Sequence, residues 1–474
     1  MSSSADLVVL GAGPAGLAAA WRAASAGRSV VVLDRAPAVG GMAGSFPVAG
    51  VRVDHGSHRL HPNTPPAILR DLTRLLGEDL QTRPRNGRLR VAGRWLGFPL
   101  RPAELATRLP AGLTARVVAD TVTAPLRRAR ADSYAAALRA SLGPGLYGAL
   151  YEPYARKLWG LDGDRIDAEQ ARRRVTADTP WKIAARMLRR RGGTGQGRTF
   201  YYPRRGFGQI VEALADAAVA TGARLRLGAA VEAITPTADG VRVRLADGGE
   251  LAGAHLFTTV PLPALAGLCR PGPPPAVVTD AGRLRFRAMV LVYLVHAGPA
   301  GAARSGAGTR WTGFDAHYLP GDGTPVTRIS EPANYRESRD DPTDRTVLCA
   351  EIPCDRGDAV WHARDEELAT LVADTLARVG LPPVRLAGVA ARRIPFAYPI
   401  YERGYAEHLR GLDEWATGLP HVTTFGRLGL FVHDNTHHAM AMAYDAVDAL
   451  GEGSWRAERW AAARTRFAAH VVED

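Results

Sequence analysis

Lysine is almost missing from this 474-residue chain: of its 60 basic residues only Lys157 and Lys182 are lysines, the rest being arginine. The formal charge of +13 and pI near 10.1 would suit a nucleic-acid binder, but no aromatic-basic platform or reading helix accompanies them, so nucleic acid is set aside as a partner. Any local Arg surplus points instead to an anionic small-molecule substrate. Cysteine is scarce and odd in number: Cys269, Cys349 and Cys354 lack metal-like spacing, so they indicate neither a disulfide framework nor a zinc site and fit a reducing cytoplasm. No run of about 18 apolar residues is present, so no integral membrane segment is expected. MSSSAD runs into a core strand without a basic and apolar leader, and a cytoplasmic location is expected. Peripheral membrane contact through Pro102 to Arg130, and a homodimer, are left open.

What is present begins at Leu7. An apolar run to Leu10, the turn GAGPAG with Gly11, Gly13 and Gly16, an Ala-rich helix from Leu17 to Ala26 and a second apolar run from Ser29 to Leu33 describe a dinucleotide-binding βαβ unit closed by Asp34. Gly11 makes the tight turn, Gly13 lets the backbone approach a pyrophosphate, and Gly16 lets helix and strand pack closely. The helix N-terminus offers unpaired N–H groups and the positive end of a dipole, and Asp34 can accept hydrogen bonds from ribose hydroxyls. A second glycine cluster follows in VGGMAG, Val39 to Gly44.

From about residue 100 to 200 apolar residues recur at helical spacing, which reads as an inserted helical lobe. The sequence then returns to the first lobe with a helix Gln209–Thr221, a strand Arg224–Leu227, and a hairpin turning at Asp247-Gly248. Strand-like runs at Met289–Val295 and Thr346–Ile352, with a helix near Glu366–Val379, suggest a separate sheet, and a last helix starts near Thr436. GGTGQG, Gly192–Gly197, follows arginines rather than a strand and reads as a loop, not a second nucleotide site. The expected fold is α/β: a glutathione-reductase-like Rossmann-type lobe in three pieces, 1–95, 201–265 and 396–474, with a helical insert over 96–200 and a mixed-sheet substrate domain over 266–395.

With GAGPAG, VGGMAG, HGSHRLHP, YARKLWG, FYYPRRGFGQIVEAL and FGRLGLF in this order, the chain resembles the superfamily of FAD-dependent amine oxidases, protoporphyrinogen oxidase and UDP-galactopyranose mutase over almost its whole length. The resemblance implies FAD, bound non-covalently because no cysteine lies near the C-terminus to attach it. Carried over residue by residue, Gly11, Gly13, Pro14, Ala15, Gly16, Asp34 and Arg35 would hold the ADP half, with Val231 at the adenine edge. Gly40, Gly41, Met42, Ala43 and Gly44 would line the pyrophosphate and ribityl chain. Gly426 and Arg427, on a C-terminal Gly-Arg-Leu-Gly strand, would lie beside the cofactor, and the helix at Thr436 and His437, capped by Asp434 or Asn435, would aim at the flavin pyrimidine ring.

HGSHRLHP, His55–Pro62, resembles a loop that passes the flavin face, with Ser57 where the family has proline. It places His58 against the flavin and His61 nearby, and with Arg427 these are the candidate catalytic residues. No metal site is expected, although His55, His58 and His61 lie close in sequence. Trp159, Arg173, Arg174, Tyr398 and Tyr401 are the candidate substrate residues, the arginines resembling a mobile-loop residue that grips a nucleotide diphosphate. The lysine that monoamine-type oxidases place near the flavin has no counterpart; Arg285 or Arg287 stands there. The expected activity is FAD-dependent oxidation of a polar, sugar-like or nucleotide-linked small molecule by hydride transfer to flavin N5. The alternative is a mutase-like, non-redox isomerase of a nucleotide sugar.

Overall fold

Leu7, Val8 and Val9 are fully buried because strand Ser3–Leu10 runs parallel between Glu250–Thr258 and Val30–Leu33, with both faces of the sheet covered. These relations come from a computed structural model that describes residues 3–100, 104, 107–124, 127, 132–174, 199–298, 308–451 and 454–472. The sheet continues from Val30–Leu33 to Arg224–Arg226, and on the other side from Glu250–Thr258 to Gly240–Leu245 and Val231–Thr237. Val422–Thr424 pairs with the far end of Glu250–Thr258, so N-terminal, central and C-terminal pieces meet in one layer.

Helix Pro14–Ser25 follows the glycine turn. Its buried side is almost entirely Ala and Gly, which lets it lie close to the strands and to helices Gln209–Ala220 and Thr436–Ala449. The helix at Thr436 starts where the sequence predicted. FGRLGLF differs from expectation: the strand is only Val422–Thr424, and Gly426–Gly429 is a single helical turn entered through Gly426 at φ +79°. Positive φ stops the extended chain there and bends it toward Ala15.

The second sheet runs in the order Leu386–Pro399, Phe286–Ala297, Arg345–Cys354, Arg328–Ser330, Ala316–Tyr318, Gly87–Val91 and Arg94–Phe98. Along Phe286–Ala297 the side chains alternate. Val290, Val292 and Leu294 pack on helix Asp365–Val379, whereas Met289, Leu291, Tyr293 and Val295 face Val51 and Val53. The second set points the sheet at the histidine-bearing loop. The boundary drawn at residue 95 falls inside the Gly87–Phe98 hairpin, whose strands pair with this second sheet. The insert contains helices Ala111–Val122, Tyr134–Leu142, Glu152–Trp159 and Ala168–Arg174. Lys182 and Gly192–Gly197 lie outside the described residues. Among the described residues no helix is long and apolar enough to cross a membrane.

Candidate functional site

The carboxyl ends of three parallel strands converge: Thr259 N–H donates to the Leu10 carbonyl at 3.0 Å, and Phe425 N–H to Thr258 at 3.1 Å. A crevice outside such strand ends is where open α/β sheets bind nucleotides. The glycines there divide by purpose. A Cβ on Gly16 would sit 1.9 Å from the Gly11 carbonyl oxygen, and one on Gly11 2.1 Å from Thr259 Oγ1, so both positions must be bare for the chain to pack. On Gly13 a Cβ would meet nothing closer than 3.9 Å. Packing does not demand that glycine; an open backbone facing outward does.

The second cluster lies against the first. Gly40 N–H donates to the Ala12 carbonyl at 2.8 Å, and a Cβ on Gly41 would be 3.3 Å from Gly13 Cα. Gly40, at φ +132°, makes the turn into the short helical segment Gly41–Ala43 that carries Met42. No acid occupies the first turn of helix Pro14–Ser25 and no side chain caps it, so its positive end is uncompensated. Asp34 accepts the N–H groups of Ala12 at 2.7 Å and Ala36 at 2.8 Å, each oxygen keeping a further lone pair. Gly228 and Ala229 donate to the Ala36 and Asp34 carbonyls, which brings the start of strand Val231–Thr237 beside that carboxylate. Arg35 is exposed. The cradle fits the adenosine diphosphate part of FAD, with donors for phosphate and an acceptor for ribose.

The loop after Val51–Asp54 is fixed at its root by Asp54, a buried carboxylate that accepts the Ser45 hydroxyl at 2.6 Å, the Phe207 N–H at 2.9 Å and the Tyr202 hydroxyl. Tyr293 donates to the Asp54 carbonyl at 2.6 Å. Further along, Glu351 accepts the Ser57 N–H at 2.9 Å and is paired with Arg328 at 2.7 Å. His58 is thus held from both sides of its loop. Its Nε2 lies 3.0 Å from the His55 carbonyl, its ring stacks on Phe207, and burial lowers its pKa from the usual imidazole value. A neutral ring donating through Nε2 leaves Nδ1 as the basic nitrogen. His55 Nδ1 bonds the Gly41 carbonyl, and His61 Nδ1 accepts the Asn63 N–H. These rings face separate backbone partners and do not converge on a common point.

Four candidate substrate residues do come together. Arg174 lies 4.9 Å over Tyr398 and 5.3 Å over Trp159, and Arg427 lies 4.8 Å over Tyr398 while donating to the Ala397 carbonyl at 2.7 Å. Burial depresses the pKa of Arg427. Tyr401 and Trp159 also touch His433, at 4.9 and 5.1 Å between ring centroids. Two corrections follow from burial. Tyr401 is 1% exposed with its hydroxyl on the Phe431 carbonyl, and Trp159 is 2% exposed, so both shape the wall rather than reach into a cleft. Arg173 turns elsewhere, with Nε on Glu169 at 2.8 Å and Nη2 on the Ala468 carbonyl at 3.3 Å, so two of its three nitrogens are already engaged.

Arg285 and Arg287 face away as well, pairing with Glu402 at 3.4 Å and Asp355 at 2.7 Å respectively. Lys157, the only lysine among the described residues, donates to the Leu319 and Val326 carbonyls, and burial lowers its pKa to about 7. At the start of helix Thr436–Ala449, Asn435 is the N-cap and His437 is buried, with its pKa lowered to about 3 by burial. Two surface recesses of about 370 and 330 Å³, one with Arg156 and Asp322, the other with Arg204 and Arg339, share no residue with this site.

Sequence reasoning missed Asp54, Arg328, Glu351 and His433. A charged residue inside the apolar run TVLCAEI was a readable signal for Glu351; nothing in sequence marks His433.

Comparison with known proteins gives a consistent picture. The family model described as "Flavin containing amine oxidoreductase" matches residues 14–422. Reduced UDP-galactopyranose mutase superposes with a TM-score of 0.79 at 20% identity, covering 99% of this chain and 100% of that one. A putative protoporphyrinogen oxidase from Exiguobacterium sp. 255-15 gives 0.72 at 19% identity, covering 95% and 99%. Putrescine oxidase bound to putrescine gives 0.62 at 17%, covering 94% and 99%. At these identities the structures establish the fold alone. No curated protein matches the sequence.

Proposed function

Because the chain belongs to the flavin-containing amine oxidoreductase family, we propose that it is an FAD-dependent oxidoreductase for a polar, anionic small molecule, with non-covalent FAD supplying the hydride acceptor. Gly11, Gly13, Gly16 and Asp34 would hold the adenosine diphosphate half, Gly40 and Gly41 the pyrophosphate and ribityl chain, and Gly426 the approach to the ring. The uncapped end of helix Pro14–Ser25 favours the phosphates, and the N-terminal dipole end of helix Thr436–Ala449, capped by Asn435, favours negative charge on the ring.

The observation that carries the substrate class is the meeting of Arg174 and Arg427 at the ring of Tyr398. Two guanidinium groups within reach of one tyrosine suit a phosphate or carboxylate, and stacking on the ring keeps them oriented. His58, neutral and with Nδ1 open, would accept the proton that leaves substrate carbon or oxygen as hydride departs. Its loop is kept rigid by Asp54 and Glu351, which lets the imidazole act from a fixed position.

The test is to add anionic sugars and nucleotide sugars to the oxidised, anaerobic protein. Bleaching of the flavin absorbance supports oxidation. A second reading, isomerisation of a nucleotide sugar without net redox change, is favoured by the same arginine pair, which suits a diphosphate, and by the full-length likeness to the mutase. It predicts product only from pre-reduced protein, with the flavin still reduced at the end.

A further inference from the structure

Asp434, His438 and His470 form a cluster outside every contact used above. Asp434 is buried just before the N-cap of helix Thr436–Ala449, His438 lies in the first turn, and His470 comes from the segment after helix Ala457–Phe467. Asp434 Oδ1 is 3.3 Å from His438 Nδ1 and 3.2 Å from His470 Nδ1, and the three donor atoms lie within 4.8 Å of one another. Nothing in the flavin chemistry requires this arrangement.

The spacing and the donors point beyond a simple hydrogen-bonded cluster. Two ligands bound to a tetrahedral ion at 2.0–2.1 Å stand about 3.3–3.4 Å apart, close to both measured separations. His438 Nδ1 accepts the Asn435 N–H at 3.2 Å, so it is the unprotonated nitrogen whose lone pair a bound ion would take over from that N–H, and it lies 3.3 Å from the carboxylate oxygen. Two acceptors facing each other repel unless a proton or a cation lies between them. The other oxygen of Asp434 is buried with no hydrogen-bond partner. The rings of His438 and His470 stack at 4.2 Å and 15°, and both Nδ1 atoms lie beside the same Asp434 oxygen.

We propose that Asp434, His438 and His470 bind a divalent first-row transition ion, with zinc as the probe, in a two-histidine, one-carboxylate site that keeps a water in the fourth position. The ion would close the pair of like acceptors and shift the His470 ring by a few tenths of an ångström. It would also fasten the C-terminal segment, already tied by Val472 N–H to the Arg173 carbonyl at 2.8 Å, onto the end of helix Thr436–Ala449. The proposal goes beyond the expectation of no metal, which weighed the three cysteines and His55, His58 and His61 but not this cluster.

The experiment uses the full-length flavoprotein, stripped with a chelator, equilibrated with zinc ion and passed through gel filtration, with metal and flavin measured on the same samples. The site predicts one zinc per chain in the wild type and a higher unfolding midpoint with zinc than without. In His470→Ala and His470→Gln, affinity falls at least as much as the roughly 10–100-fold that loss of a mere supporting contact costs. Wild-type protein that retains no zinc and shows no shift in midpoint overturns the proposal, whatever the variants do. Undiminished zinc in both His470 variants overturns it equally, by placing the metal elsewhere. Because flavin content is read independently, a colourless protein that binds zinc, or a yellow one that does not, separates this proposal from the functional one.

Discussion

Replacing Asp54 should separate the network that holds the histidine loop from the loop itself. The carboxylate is 3% exposed and accepts three donors: Ser45 and Phe207 on Oδ1, Tyr202 on Oδ2. In Asp54→Ala all three lose their acceptor. The Ser45 hydroxyl is only partly buried and can turn to water, but Tyr202 and Phe207 are fully buried. At about 1.5–3 kcal/mol for each hydrogen bond to a charged acceptor, two orphaned donors cost about 3–6 kcal/mol. Asp54→Asn keeps Oδ1 for Ser45 and Phe207 and places an NH₂ against the Tyr202 oxygen, which can accept; about 1 kcal/mol is expected. Denaturant unfolding followed by tryptophan fluorescence, with flavin release recorded alongside, measures both. The alanine variant should unfold at clearly lower denaturant and shed flavin first, with asparagine close to wild type. Equal midpoints for the two variants would refute the reasoning, because the cost would then not lie in the unpaired donors.

The two glycines of the first turn should fail differently. Gly16→Ala drives a Cβ into the Gly11 carbonyl, so it should lower stability by at least about 1–3 kcal/mol and lose flavin, whereas Gly13→Ala should keep the wild-type midpoint and weaken flavin binding alone. Identical behaviour in flavin titration and thermal melts would contradict that division. Arg174→Ala should weaken binding of pyrophosphate about 10–100-fold, while Arg173→Ala, already engaged by Glu169, should change it little. The reverse order in a calorimetric titration would move the anion site to Arg173. Finally, burial lowers the pKa of His58, His255, His317, His433 and His437, so each is neutral when folded and protonates below about 6.5 when unfolded. The unfolded chain then binds more protons, so stability should be level above pH 7 and fall from about pH 6.5 toward 5. A midpoint that rises over that interval would show the histidines to be charged in the folded state.

The βαβ unit was legible because every step of it is local. Gly11, Gly16 and Asp34 sit where turn, packing and strand end fix them, within one short stretch of chain. The return of the chain to the same sheet was legible for a similar reason, since strand Glu250–Thr258 carries its own apolar run after the Asp247-Gly248 turn. What escaped depends on pairings between distant residues. Gly87–Phe98 looked like part of the first lobe, and only its pairing to Ala316–Tyr318 assigns it to the second sheet. Adjacent arginines could not be told apart by type; the helix phase sends Arg173 to Glu169 and Arg174 to Tyr398. Likewise His470 is unremarkable in sequence and becomes interesting only where the terminal segment returns to Asp434.

The most direct test of the account is the visible absorption spectrum of the pure protein, followed by acid precipitation and identification of what is released. One equivalent of FAD, yellow in the native protein and wholly recovered in the supernatant, is the predicted result. Protein that is colourless, and remains so after incubation with excess FAD, would contradict the reading of the glycine cradle on which the proposed activity rests.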